Sequence, residues 1–522
     1  MFGSRRGSRP LSRVAVSEWL LKVIGVSVVI GCSLFAFAKA GNDDPANHRW
    51  QAGANRHARD MAAYPDSDSG EQRTPPVIRS FERAFDPSGL IATVQPGGPT
   101  ETSQNAFFEN LGTNDRTCFT CHQPQTGWTV SAASVQARFY VSDGSDPIFR
   151  LVDGATCPSD DVSSIDAKLD AYSLLLQKGL IRIGLPVPPT SEFRVVAVND
   201  PYNCTTNPNT GLTSMGPSNA TTGIVSVYRR PLPATNLGFL SAIMWDGREP
   251  SLLSQAVDAT LGHAQATAAP TAAQQQQIVD FESGIFTAQA FDNRAKLLTG
   301  QGATGGPQAL QNQLAGFFIG INDPLGLNPM GTAFSSKVFD LYESWRDVRV
   351  PLELAADRRS VTRGEDLFNN MRINITNVAG LNDALGQASI PGFCGTCHDA
   401  PNVGDHSVKA PLNIGIADAG AGAPPMLNIS GLPVFDLQCV TGPLAGKVFS
   451  VTDPGRALIS GKCADIGKLK GPILRGLAAR APYFHNGSAA TLLDVVNFYD
   501  QRFSIGLTDA EKRDLAAFLQ TL

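Results

Sequence analysis

The sequence predicts a mainly α fold with long loops and few short strands. The last helix has the clearest signal, because Thr508 is a suitable N-cap and Glu511 completes a capping box. Its apolar face consists of Leu515, Phe518, Leu519 and Leu522. Helical patterns at 103–111 and 358–368 each lead into a Cys-x-x-Cys-His sequence. Strand signals are few, so helices should form most of the regular structure.

Composition and charge narrow the class of protein. The chain has 522 residues, enough for two or three domains, and 42% of them are hydrophobic against 17% charged. The formal net charge is -5, and no basic stripe follows the N-terminus. This balance argues against nucleic acid as a partner.

The N-terminal region, 1–40, is predicted to be a signal peptide. An arginine-rich start is followed by an apolar run at 23–38 and by Ala38-Lys39-Ala40, which fits a cleavage site. Export to the periplasm follows, and membrane attachment is expected only if the segment stays uncleaved. The polar, Pro- and Gly-containing sequence after it predicts an extended arm over 41–104.

The sequence predicts helices joined by loops in the middle of the chain. Apolar spacing predicts a helix over 165–181, and helix-forming residues over 264–278 are interrupted by Pro270. Glycine-rich residues 298–306 predict a flexible loop, and a second unit begins near residue 354.

Two Cys-x-x-Cys-His motifs carry the strongest chemical signal. They contain Cys118, Cys121 and His122, and Cys394, Cys397 and His398. In this motif the thiols form thioethers with haem and the histidine becomes an iron ligand. A zinc site would need further ligands nearby, and a redox dithiol would not need the histidine. The sequence therefore predicts two covalently bound haem c groups.

Four other cysteines remain after the predicted export. Three pairings are possible, and locality favours Cys157 with Cys204 and Cys439 with Cys463.

The sixth iron position is a separate question. After His122 no histidine occurs until His263, so the first haem is expected to be open, which favours peroxide chemistry.

Two further stretches resemble signatures of the bacterial di-haem cytochrome c peroxidase family, which includes MauG. They are IMWDGR at 243–248 and GPILRGLAARAPYFHNGS at 471–488. The resemblance implies two cytochrome c-like domains, 105–350 and 351–522, with one haem each and an insertion at about 123–225. Peroxide would react at the first haem, and the second would take electrons from a donor. Trp245 would lie between them, although a core aromatic is the alternative.

The resemblance also implies axial and acid-base groups. Tyr499, fourteen residues after His485, occupies the position of the second haem's distal ligand, where peroxidases usually have Met and MauG has Tyr. A core tyrosine is the alternative to this ligand. His406 is a weaker rival ligand, and His485 matches a structural residue near the haem.

At the first haem, Gln265 stands where the peroxidases carry an acid-base Glu. His263, helped by Gln255 and Gln265, is therefore the expected proton shuttle, with a surface or capping histidine as the alternative. Gln255 matches a glutamine of the MauG pocket. Calcium, held in the family partly by carbonyls here belonging to Arg480 and Pro482, is doubtful. Arg230 and Pro231 occupy the region of the family's Asn ligand.

These observations predict a di-haem peroxidase that reduces hydrogen peroxide with electrons from a small c-type cytochrome or a copper protein. Two alternatives remain open at this point. One is a MauG-like oxidase that modifies a protein or organic substrate, and the other is a non-enzymatic electron carrier.

Overall fold

A computed structural model describes residues 74–202, 204, 218–219, 223–420 and 423–522. The predicted signal peptide and residues 41–73 of the predicted arm lie outside this range. The described residues belong to one compact unit, Arg56–Leu522. The division at 350/351 therefore stays a prediction. Within the described part of the chain, no helix is long and apolar enough to cross a membrane.

Helices supply 32% of the structure and strands 17%, so the mainly α prediction is confirmed only in part. The α-helices span Ala132–Ser142, Ile165–Ala171, Ser173–Lys178, Leu252–Gly262, Ala272–Gly284, Gly306–Gln313, Leu352–Asn370, Asn382–Leu385, Ala457–Ser460, Leu492–Arg502 and Asp509–Gln520. The predicted helix at 103–111 is instead two short 3-10 turns, Thr102–Gln104 and Ala106–Phe108.

The strands form five small sheets in the described residues, and all their named pairings are antiparallel. They span Val77–Ile78, Phe81–Asp86, Gly89–Val94, Thr100–Glu101, Ile181–Pro186, Phe193–Asn199, Ser218–Asn219, Ile224–Arg229, Phe286–Asp292, Lys296–Leu297, Ile373–Thr376, Ser389–Gly392, Val434–Cys439 and Val448–Val451.

The predicted N-terminal arm needs correction over its described part. Phe81–Asp86 and Gly89–Val94 form a hairpin, and the second strand also pairs with Phe286–Asp292. Ile91 is buried in this sheet. The pairing partner lies far away in the sequence, so local composition could not show that this segment joins the core.

The inserted region at 123–225 is tied to the C-terminal half by a shared sheet. Strand Phe193–Asn199 pairs with Val434–Cys439, and apolar residues from both regions form one buried cluster. The two predicted disulfides, Cys157–Cys204 and Cys439–Cys463, are present. One links two parts of the inserted region, and the other fastens the C-terminal strand that the insertion joins.

The C-terminal half is built on two helices in close contact. Leu352–Asn370 packs against Asp509–Gln520, and a Cβ added at Gly364 would lie 2.1 Å from the Asp514 carbonyl oxygen. Glycine therefore permits this approach. The predicted cap of the last helix is confirmed, since the Thr508 hydroxyl accepts from the Glu511 N–H and the Glu511 carboxylate accepts in return.

Candidate functional site

The first Cys-x-x-Cys-His motif forms a tight, capped turn. Cys118–Thr120 is a 3-10 turn whose N-cap, Thr117, accepts a hydrogen bond from the Thr120 N–H. Cys118 and Cys121 are both free thiols. The turn therefore presents two thiols and the following histidine from one short, rigid segment.

His122 is oriented as an iron ligand must be. Its Nδ1 lies 2.8 Å from the Trp128 carbonyl oxygen, so Nδ1–H donates and Nε2 is left as the available lone pair. Burial lowers the pKa of His122 to about 4. The imidazole is therefore neutral at physiological pH and can bind a metal.

The second motif repeats this arrangement. Cys394–Thr396 is again a 3-10 turn, and Cys394 and Cys397 are free. His398 Nδ1 lies 2.7 Å from the Gly404 carbonyl oxygen, and burial lowers the pKa of His398. Both histidines thus offer Nε2, held by a backbone carbonyl six residues further along the chain.

A cavity accompanies each motif. The cavity at the first motif measures about 1580 Å³ and that at the second about 1790 Å³, each including its opening to solvent. His122 lines the first cavity and His398 the second, so each proximal histidine borders a cavity in which a porphyrin would lie.

Buried arginine side chains that line the cavities indicate whether haem fits there. Arg230 lines both cavities, and its Nη1 has no hydrogen-bond partner among the described residues. Arg475 lines the first cavity, and its Nε and Nη2 are likewise without partners in the described chain. Burial lowers the pKa of Arg230 to about 9 and that of Arg475 to about 10, which marks charges lacking counterions. The two carboxylates of a haem would supply them, so the residues present fit haem c.

Trp245 lies in the walls of both cavities. Its Nε1–H donates to the Arg230 carbonyl oxygen at 2.8 Å. It packs edge-on to His485, with ring centroids 6.1 Å apart. Trp245 is therefore not a wholly enclosed core aromatic.

Tyr499 lines the second cavity, and its ring centroid lies 6.4 Å from that of His398. Helix Leu492–Arg502, capped by Thr491, carries it there. Among the described residues its hydroxyl has no hydrogen-bond partner, and its ring packs against Phe498 and Phe503, so the ligand and the core tyrosine both stay predictions. His485 lines the same cavity, whereas His406 does not and instead contacts the Asp399 carboxylate at 3.1 Å.

The predicted acid-base residues separate into two groups. Gln255 and His263 line the first cavity with His122; Gln255 lies on helix Leu252–Gly262, and His263 is that helix's C-cap. Gln265 does not line it. Its φ of 55° turns the chain away just beyond the helix, and its side-chain oxygen accepts from Asn114 Nδ2 at 3.3 Å. The structure therefore brings only two of these three residues to the first motif.

Asp153 is a site residue that the sequence patterns do not reveal. It is buried in the wall of the first cavity, 2.7 Å from His263 Nδ1 and 2.5 Å from Arg116 Nη1. It lies in the insertion, more than a hundred residues before His263, and no local motif marks it. Only the folded chain shows that it belongs to this site.

Arg230 and Arg480 carry like charges in the region where the family resemblance implies calcium. The charge of Arg480 reinforces the effect of burial in lowering the pKa of Arg230. Within the described ranges, no cluster of three or more His, Cys, Asp or Glu residues could hold a metal ion.

Comparison with known proteins finds partial matches to cytochrome c-like proteins and peroxidases. Residues 469–505 match a family model described as RoxA-like, cytochrome c-like. A cytochrome-c peroxidase, IdrP2, from Denitromonas iodatirespirans is 34% identical over 139 residues, covering 25% of this chain and 36% of that protein. IdrP1 from the same organism is 42% identical over 69 residues, covering 11% of this chain and 18% of that protein. The chain thus matches about a third or less of these relatives' own length.

A solved structure of a MauG-like protein associated with microbial copper homeostasis also aligns. It is 18% identical, with a TM-score of 0.28, over 58% of this chain and 76% of that one. The Cys-x-x-Cys-His motifs and the cytochrome c-like match indicate covalently bound haem c, as in c-type cytochromes. Through these partial matches the chain is similar to the di-haem cytochrome c peroxidase and MauG family.

Proposed function

We propose that this chain is an exported, periplasmic di-haem c-type peroxidase. It reduces hydrogen peroxide to water with two electrons from a small c-type cytochrome or a copper protein. The observation that carries the proposal is the first cavity, where Gln255 and His263 share a wall with Cys118, Cys121 and His122. A site with a neutral proximal histidine and a second histidine able to move protons suits peroxide cleavage.

When bound, haem c supplies the iron that takes up peroxide and exchanges electrons. The chain supplies the proton chemistry. His263 takes a proton from one peroxide oxygen through Nε2 and returns it to the oxygen that departs as water. Gln255 donates or accepts a hydrogen bond in the same cavity and orients the peroxide.

Electron delivery uses the second site. Cys394, Cys397 and His398 would hold the second haem, which would supply the redox group for electrons from the donor. Trp245 connects the two sites, a role supported by its place in the wall of both cavities.

A MauG-like oxidase that modifies a protein or organic substrate is the second candidate. Tyr499, with its hydroxyl unpaired in the second cavity, favours it, because a tyrosine oxygen stabilises ferric iron. A wholly non-enzymatic electron carrier has less support, since it needs a second protein ligand at the first haem as well.

Replacing His263 tests the leading proposal. We expect His263→Ala to slow the reaction with peroxide by roughly 10²- to 10⁴-fold, the usual contribution of a general acid-base group. Stopped-flow absorbance with purified holoprotein measures the rate, and the pyridine haemochrome spectrum checks that both haems remain.

Gln265→Ala is the matched control, because Gln265 lies two residues away but outside the cavity. Its peroxide rate should equal that of the unmodified protein. An unchanged rate in His263→Ala would refute the proposed proton shuttle.

A further inference from the structure

We propose that Asp153, itself held by Arg116, is a positioning residue that fixes the ring and tautomer of His263 for proton transfer. The inference rests on the proposed peroxidase function. It assigns part of the acid-base machinery to the inserted region, not to the cytochrome c-like framework.

The contact between the two side chains is direct. Asp153 Oδ2 lies 2.7 Å from His263 Nδ1, within hydrogen-bonding distance, and Asp153 is only 2% exposed. Both residues line the first cavity together with His122. Among the described residues, His263 Nε2 has no hydrogen-bond partner, so the ring keeps one nitrogen free for chemistry.

Arg116 makes the carboxylate a fixed acceptor. Its Nη1 lies 2.5 Å from Asp153 Oδ1, while its Nε and Nη2 donate to the carbonyl oxygens of Pro147 and Ile148. The guanidinium is thus anchored on three sides. It cannot turn away from Asp153 without losing buried hydrogen bonds.

The charge of Asp153 decides the tautomer. Burial alone would raise the pKa of Asp153, but Arg116 and the His263 hydrogen bond outweigh it and lower the pKa to about 2. An ionised carboxylate only accepts hydrogen bonds, so the His263 nitrogen beside it, Nδ1, must carry a proton. Nε2 is then the nitrogen left to exchange a proton with peroxide.

The backbone of His263 is held by the same segment. Asn114 Nδ2 donates to the His263 carbonyl oxygen at 2.8 Å, and Arg116 Nη1 approaches the same oxygen at 3.3 Å. Residues just before the first haem-attachment motif therefore fix both the main chain and, through Asp153, the ring. This holds His263 at a fixed position relative to the first Cys-x-x-Cys-His motif.

A double-mutant cycle on the holoprotein tests the inference. Asp153→Asn should lower the rate of reaction with peroxide by roughly 10- to 10³-fold, no more than the loss of His263 itself. In the His263→Ala background the same change should have no further effect, because Asp153 acts only through that ring. A purely structural role would lower the rate in both backgrounds and would overturn the inference.

Two controls keep the outcome decisive. Glu365→Gln alters an equally buried carboxylate, which accepts from the Leu341 and Tyr342 N–H groups and lines neither cavity; its peroxide rate should not change. If Asp153→Asn fails to fold, Asp153→Glu keeps the charge beside Arg116 and displaces the carboxylate by one methylene. It should still slow the reaction, and a full rate would overturn the inference.

The outcomes also separate this inference from the proposed function. A normal rate in His263→Ala refutes the peroxidase proton shuttle itself. A slow His263→Ala with a normal Asp153→Asn leaves that shuttle standing and refutes only the role of Asp153.

Discussion

Arg229 should be the most sensitive single position for stability outside the haem-attachment motifs. Its side chain is fully buried and pairs with Asp246 at 2.5 Å and with Asp453 at 2.7 Å. Asp246 belongs to the WDGR stretch beside Trp245, and Asp453 lies in the C-terminal half. One guanidinium therefore joins the loop that carries Trp245 to the second half of the molecule.

Removing Arg229 would leave two buried carboxylates without their main counterion. Burial alone would raise the pKa of Asp246 and Asp453, but Arg229 outweighs it and keeps both pKa values below the ordinary range. Breaking a buried ion pair typically costs about 3–5 kcal/mol, because the remaining charge is uncompensated. We expect Arg229→Met to lower the free energy of unfolding by at least that amount.

An exposed pair of the same length is the matched control. Arg294 lies 2.5 Å from Asp357, but its side chain is 73% exposed, so Arg294→Met should cost about 1 kcal/mol or less. Urea denaturation followed by far-UV circular dichroism compares the two variants with the unmodified holoprotein. If Arg229→Met loses no more stability than Arg294→Met, the argument from burial is refuted.

Two further predictions concern single buried side chains. Tyr499→Phe should change the low-spin ferric spectrum and shift one reduction potential with haem attachment intact; an unaltered spectrum and potential would make Tyr499 a core residue and remove the main support for the MauG-like alternative. Glu282 is buried, and burial raises the pKa of its carboxyl to about 8. The protonated carboxyl therefore makes its full contribution to the free energy of unfolding below about pH 4, and that contribution is lost as the pH rises towards 8. Relative to Glu282→Gln, the free energy of unfolding of the unmodified protein should fall by about 1.4 kcal/mol per pH unit within that window. If the free energies of unfolding of the two proteins change equally with pH across pH 5–8, the prediction is refuted.

The sequence by itself determined the features that depend on local spacing. The two attachment motifs need only five consecutive residues each, and the cap of the last helix needs Thr508 followed three positions later by Glu511. The disulfides join cysteines close in sequence, at separations of 47 and 24 residues. Covalent attachment and helix capping act over such short distances, so the order of the residues is sufficient to predict both.

Only the tertiary structure decided which side chains meet. It paired Phe193–Asn199 with Val434–Cys439, and so the strand content exceeded what local patterns indicated. It turned Gln265 away from the first cavity through a left-handed backbone conformation, and it brought Asp153 from the insertion to His263. Strand pairing and buried ion pairs form between segments far apart in sequence, and their partners are selected by packing of the whole chain, which no local spacing records.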